Sequence, residues 1–229
     1  MAESCLLYYI TDRTGFPGDE RTRRRRVLDK IAEAAACGVD YIQLREKDLS
    51  SCELELLARE AAHIVREQNK FRDEQPSTAL LINSRTDIAL AAGADGVHLR
   101  ADDVSPENVR AAWCGADAPL GKLGAGSARE PLIAVSCHSP KEVAQAAANR
   151  ATFSVFAPVF EKKDTAPAGL QMLREACRVK IPVLALGGVT IQNAASCLQA
   201  GAAGIAAIRL FQENDISTVV LALRRQVMD

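Results

Sequence analysis

The sequence predicts an α/β protein, a single-domain (β/α)8 TIM barrel over residues 1–229, and three observations predict it. Short continuous apolar runs, the pattern of parallel strands covered on both faces, alternate with stretches of helical spacing. The alternation gives eight strand–helix units with no break in composition, which favours a closed barrel over an open sheet. Polar residues gather where the strands end, and that rim is where such barrels carry chemistry. A doubly wound sheet would begin with a glycine-rich turn, and Thr11-Asp12-Arg13 is not one.

The first strand, Leu6 to Thr11, ends in Thr11-Asp12-Arg13, polar groups expected to open toward a ligand. Arg21 to Gly38 carries Val27, Leu28, Ile31 and Ala35 at helical spacing, with Gly38 as its stop. The run Arg23-Arg24-Arg25-Arg26 in it reads as a solvated face, against an acidic-partner patch. Tyr41 to Glu46 is the second strand. Gln43 and Arg45 point to one side of it and Lys47 continues that alternation, so an amide and two cations are aimed one way. Cations directed into a barrel are costly unless an anion meets them. A bound anionic ligand satisfies that need, as does a carboxylate on a neighbouring strand.

A helix follows from Cys52 to Phe71, then a strand from Ala79 to Ser84 with Asn83 and Ser84 at its end, then a short helix through Leu90. Gly96 to Arg100 is the fourth strand and leads to Asp102 and Asp103. Its His98 is expected to be a satisfied barrel-core histidine. Ser105-Pro106 opens a helix to about Gly115, and Ala116 to Glu130 reads as a loop. Leu132 to Cys137 is strand five, with Ser136 and His138 at its end and Cys137 facing away from the interior. A helix runs from Ser139-Pro140 through Asn149, strand six from Thr152 to Phe160, and a polar loop from Glu161 to Thr165 containing Lys162 and Lys163. After a helix near Pro167 to Arg178 comes strand seven, Val183 to Leu186, and the pair Gly187-Gly188. Glycines there let backbone N–H groups approach a ligand, and Thr190 is expected to cap the next helix as part of a phosphate grip. Ile205 to Ile208 is strand eight, and Ile216 to Val227 closes the chain.

Composition limits the partners. A net charge of -1 argues against a general nucleic-acid surface. No apolar run reaches the roughly eighteen residues of a membrane span, and no secretory leader is seen at the start. Seven scattered cysteines without a CxxC pair read as reduced cytoplasmic thiols. Aromatics are only 4%, so the core is expected to be built from Ala, Val, Leu and Ile.

Six stretches carry a resemblance: YYITDR (8–13), GVDYIQLREK (38–47), LINSRTDIALAAGADGVHL (81–99), SCHS (136–139), PVF (158–160) and PVLALGGVTIQNAASCLQAGAAGIAAI (182–208). In this order they resemble the thiamine phosphate synthase/TenI family over nearly the whole chain. The resemblance implies a cytoplasmic, commonly homodimeric enzyme of thiamine biosynthesis. In its synthase branch, hydroxymethylpyrimidine diphosphate is joined to a thiazole phosphate with release of diphosphate, assisted by Mg2+. It implies Gln43, Arg45, Lys47, Asn83 and a lysine of Lys162-Lys163 as diphosphate ligands. Ser136 would contact the pyrimidine side, Gly187, Gly188 and Ile208 would border the thiazole phosphate, and Asp103 would hold Mg2+. The family's first metal aspartate is Ser84 here, a far poorer ligand, and Asp102 is a further oxygen donor. Arg100 replaces the glycine of the usual HLGQ, Arg209 stands where a serine is expected, and either arginine is a candidate replacement for metal charge. An alternative within the family is a TenI-like thiazole tautomerase with His138 as general acid–base, a role suited to an imidazole. Outside catalysis lies a phosphate-ligand-binding or regulatory paralogue, and on fold alone a sugar-phosphate isomerase.

Overall fold

The computed structural model describes residues 5–72, 77–116, 130–160 and 166–226. Eight parallel strands close into a barrel in sequence order, with the last paired to the first. They are β1 (Leu6–Ile10), β2 (Tyr41–Leu44), β3 (Ala79–Asn83), β4 (Gly96–Leu99), β5 (Leu132–Cys137), β6 (Phe153–Phe156), β7 (Val183–Ala185) and β8 (Gly204–Ala207). Most end a residue or two before the apolar pattern suggests, so Thr11, Arg45, Ser84, Arg100 and Ile208 fall just beyond the ladder. β6 stops well short of Phe160, because Pro158 has no N–H to give a neighbouring strand.

Around the barrel run α1 (Glu20–Cys37), α2 (Ser51–Asn69), α3 (Thr86–Ala92), α4 (Pro106–Ala116), α5 (Pro140–Ala148), α6 (Gly169–Ala176), α7 (Ala194–Gln199), α8 (Arg209–Gln212) and α9 (Ile216–Arg225). Asp19, Ser50, Ser139 and Asp215 cap the first turns of α1, α2, α5 and α9, and Gly38 ends α1 in the left-handed conformation. Arg25 and Arg26 of the basic run are exposed, and Arg24 is tied to Glu20 and Glu53, as a solvated face requires. Two expectations fail here. Thr190 caps no helix: α7 begins at Ala194, and the Asn193 side chain reaches back to the Thr190 amide and the Gly188 carbonyl instead. The one-turn α8, directly after β8, was not foreseen.

Side-chain alternation divides the strands cleanly. Leu7, Tyr9, Ile42, Ile82, Val97, Ile133 and Ile205 face the helices, whereas Tyr8, Ile10, Leu81, Ala134, Phe153, Val155, Leu184 and Ala206 fill the barrel. The filling is not purely aliphatic. Tyr41 stacks on Phe153 with ring centres 4.6 Å apart, and Tyr8 meets Phe153 edge-on at 5.5 Å. Three of the ten aromatics, Tyr8, Tyr41 and Phe153, meet inside the barrel. All seven cysteines are free thiols, and Cys137 is buried on the outer side of β5. Among the described residues no helix is long and apolar enough to cross a membrane. Most of the expected 116–130 loop and all of the Glu161–Thr165 loop lie outside the described residues.

Candidate active site

Parallel strands in a closed barrel bring all their carboxyl ends to one rim, so Gln43, Arg45, Asn83, Ser136, Gly187 and Ile208 share a face regardless of their separation in sequence. Within that rim a buried clamp fixes the end of β2. The Glu46 carboxylate accepts from the Thr11 hydroxyl at 2.5 Å, from the Arg13 amide at 3.0 Å and from the Arg13 guanidinium at 3.3 Å. Arg13 also grips Asp48 at 2.6 and 2.9 Å, which with its bonds to Glu20 and Glu46 outweighs its burial and keeps its proton bound. Thr11 accepts in turn from the Arg45 amide at 3.0 Å. Thr11 and Arg13 are therefore buried positioning groups and do not open toward a ligand as expected. Their bonds leave the Arg45 side chain half-exposed, without a hydrogen bond or ion pair among the described residues. Lys47 lies in the exposed turn beyond β2.

Inside the rim, Gln43 is buried and donates to Asn83 Oδ1 at 2.8 Å. On the neighbouring strand, His98, the register partner of Asn83, is buried between two hydroxyls, Tyr8 on Nδ1 at 2.9 Å and Ser136 on Nε2 at 2.8 Å. Burial, reinforced by nearby Arg45 and opposed by Asp103, pushes its pKa down to about 3, so the ring is neutral. A neutral ring has one donor and one acceptor nitrogen. Tyr8 makes no other hydrogen bond among the described residues, so its O–H donates to Nδ1 and Nε2–H donates to Ser136. Ser136 is left with its own proton to offer a ligand. As expected, His98 is a satisfied core histidine; its hold on Ser136 was not anticipated.

Next to Asn83, Ser84 adopts φ +57 and places its Oγ 2.6 Å from Asp103 Oδ2. The same oxygen accepts from the Arg100 amide at 2.8 Å, while Oδ1 accepts from Arg100 Nε at 3.2 Å and Nη2 at 3.1 Å. Burial alone would raise the Asp103 carboxyl, but these bonds hold it below its ordinary value. A carboxylate has about four acceptor positions, and protein donors occupy all of them here. Asp102 is exposed and 3.5 Å from Arg100 Nε. Among the described residues no group of three or more His, Cys, Asp or Glu is placed to hold a metal. The donor set that the resemblance implied for Mg2+, two carboxylates side by side, does not match Ser84 and a saturated Asp103.

Across the rim, His138 stands exposed and donates from Nδ1 to the Ala157 carbonyl at 2.6 Å, with Nε2 making no hydrogen bond among the described residues. Gly187 (φ +99) and Gly188 (φ +65) turn the chain after β7, and a Cβ on Gly187 would lie 2.7 Å from Pro158 Cα. Among the described residues their amides donate to no carbonyl, while the Gly187 carbonyl accepts from the Phe160 amide at 3.0 Å. Ile208 follows β8 and precedes the exposed Arg209. Lys162 and Lys163 lie outside the described residues. Sequence reading missed Tyr8, Glu46 and Asn193, which are buried or local partners of site residues; the alternation that turns Tyr8 inward beside His98 was the one signal for the first.

The sequence model of the thiamine monophosphate synthase family matches residues 7–211. The chain belongs to this family. A Geobacter sulfurreducens relative of this thiamine monophosphate synthase family member is 39% identical over 207 residues, covering 88% of this chain and 84% of its own. The thiamine-phosphate synthase of Methanoculleus marisnigri is 34% identical over 227 residues, covering 96% and 94%. Among solved structures, thiamine phosphate pyrophosphorylase from Pyrococcus furiosus superposes with a TM-score of 0.75 at 28% identity, covering 99% of this chain and 97% of that one.

Proposed function

We propose that this enzyme joins hydroxymethylpyrimidine diphosphate to a thiazole phosphate and releases diphosphate, forming thiamine phosphate. The C–O bond from the pyrimidine methylene to the diphosphate breaks, its electron pair leaves on oxygen, and the thiazole nitrogen lone pair forms the new C–N bond. The observation that carries this reading is Arg45, whose backbone amide is fixed by the Thr11–Glu46 clamp and whose side chain makes no hydrogen bond or ion pair among the described residues, on the same strand-end rim as Ser136. A fixed cation facing a departing diphosphate stabilises charge that grows in the transition state. Gln43, Arg45, Lys47 and Asn83, with Lys162 or Lys163, take the diphosphate; Ser136 donates to the pyrimidine side. Gly187, Gly188 and Ile208 take the thiazole phosphate, a separate anion across the rim. Phosphate binding by both groups, a homodimeric state and a cytoplasmic location are part of the same proposal.

No observation favours the tautomerase over this reading, and the Methanoculleus and Pyrococcus relatives carry synthase or pyrophosphorylase names. The test is His138→Ala against Arg45→Ala, assayed for coupling. His138→Ala retaining most of the coupling rate while Arg45→Ala loses it supports the synthase; the reverse pattern overturns it.

A further inference from the structure

The Asp103 corner carries a second cation that the family comparison does not assign. Arg100 is exposed just beyond β4, where its side chain and its own amide both bind Asp103. Ser84, the next residue after Asn83 on β3, gives its only hydroxyl proton to the same carboxylate. Gln43, Asn83 and Ser84 thus donate in one row that ends on the Asp103 carboxylate, into which the Arg100 guanidinium donates from the other side. For a divalent cation to bind Asp103, it would have to displace the Ser84 hydroxyl or Arg100 from a carboxylate whose acceptor positions are filled.

We propose that Arg100 serves as the fixed positive charge of the diphosphate site, in the place of a cation held between two carboxylates. This rests on the coupling reaction proposed above. A guanidinium has five N–H groups, and Asp103 uses one on Nε and one on Nη2. The remaining three, two on Nη1 and one on Nη2, form a planar donor edge suited to phosphate oxygens. Asp103 does the positioning: it orients the guanidinium, while the more exposed Asp102 lies 3.5 Å from Arg100 Nε and leaves the Nη1 edge open. Arg45 and Arg100 then face the same anion from two strand ends, and Arg45 is near enough to His98, as is Asp103, for both charges to act on that ring. Ser84 has a matching role. An aspartate there would put a second carboxylate against Asp103 and call for a metal to bridge them.

The test is isothermal titration of inorganic diphosphate into the full chain, with excess chelator and with Mg2+, for wild type, Arg100→Gln, Arg100→Lys and Ser84→Asp/Arg100→Gly. Wild type should bind with chelator present to within about threefold of its affinity in Mg2+, and Arg100→Gln should weaken chelator-condition binding by about tenfold or more. Arg100→Lys should restore part of that loss, and the double variant should bind only with Mg2+. Wild-type binding that requires Mg2+, or chelator-condition binding unchanged in Arg100→Gln, overturns the proposal. Thermal melts show whether each variant is folded, and Arg100→Lys keeps the test valid if the glutamine variant is not. Diphosphate binding is read without turnover, so a protein that binds it metal-free yet couples nothing refutes the synthase reading and leaves this receptor standing.

Discussion

His98 Nε2 stands 2.8 Å from Ser136 Oγ, and the Tyr8 hydroxyl 2.9 Å away on the other ring nitrogen decides which of them donates. The serine proton is left free to donate by a tyrosine that reaches it only through the His98 ring. Tyr8→Phe removes that instruction while keeping the ring packing against Phe153 and Tyr41. The variant should lose about tenfold in kcat with little change in KM for either phosphate substrate. It should also lose about 1–3 kcal/mol of stability from the unpaired Nδ1. A kcat unchanged within twofold would remove His98 from the account of Ser136.

Arg45 is the cation for which the fold makes room. Arg45→Ala should lower kcat by about a hundredfold or more, the scale of removing one charge-assisted donor from a transition state. Arg45→Lys should recover only part of it, since a lysine cannot reproduce the planar fork. Steady-state kinetics with diphosphate release as the signal checks both.

Acid stability should carry the signature of His98. Its folded pKa is about 3 against an ordinary value of 6.5, so below pH 6.5 the unfolded chain takes a proton that the folded one refuses. This contribution is complete above about 6.5 and falls as pH drops toward 3, by at most about 1.4 kcal/mol per pH unit. Burial raises the Asp40 and Glu46 carboxyls, which act in the opposite direction, so the informative quantity is the difference from a variant. Urea unfolding of wild type and His98→Asn at pH 7, 6 and 5 should show the two stabilities converging as pH falls. Parallel curves would contradict it.

Gly187→Ala meets both a positive φ and backbone. The added methyl would sit 2.7 Å from Pro158 Cα, which cannot move as a flexible side-chain tip would. We expect a loss of about 2 kcal/mol or more in urea unfolding and a raised KM for the thiazole phosphate with the KM for the pyrimidine diphosphate nearly unchanged. Equal effects on both substrates would separate this turn from the second phosphate.

Much of the barrel was legible because parallel strands covered on both faces must be apolar throughout, and runs such as Val183–Ala185 and Ile133–Val135 have no other comfortable place. Polar side chains at strand ends were legible for the same reason. What was not legible depends on three-dimensional neighbours. Thr11 and Arg13 look like ligand groups until the Glu46 carboxylate, more than thirty residues away, is seen to take both. Asn193 and not Thr190 organises the turn after β7, because an amide can accept from one backbone group while donating to another. The four-residue α8 is too short to have a period. Ser84 read as a lost ligand; only its bond to Asp103, itself paired with Arg100, shows a different arrangement in its place.

The most direct measurement is a turnover assay of the purified full chain with hydroxymethylpyrimidine diphosphate and thiazole phosphate, with and without Mg2+. The account predicts thiamine phosphate and diphosphate released in equal amounts, with the product lost in Arg45→Ala. No product at saturating levels of both substrates, with Mg2+ in excess, would contradict it.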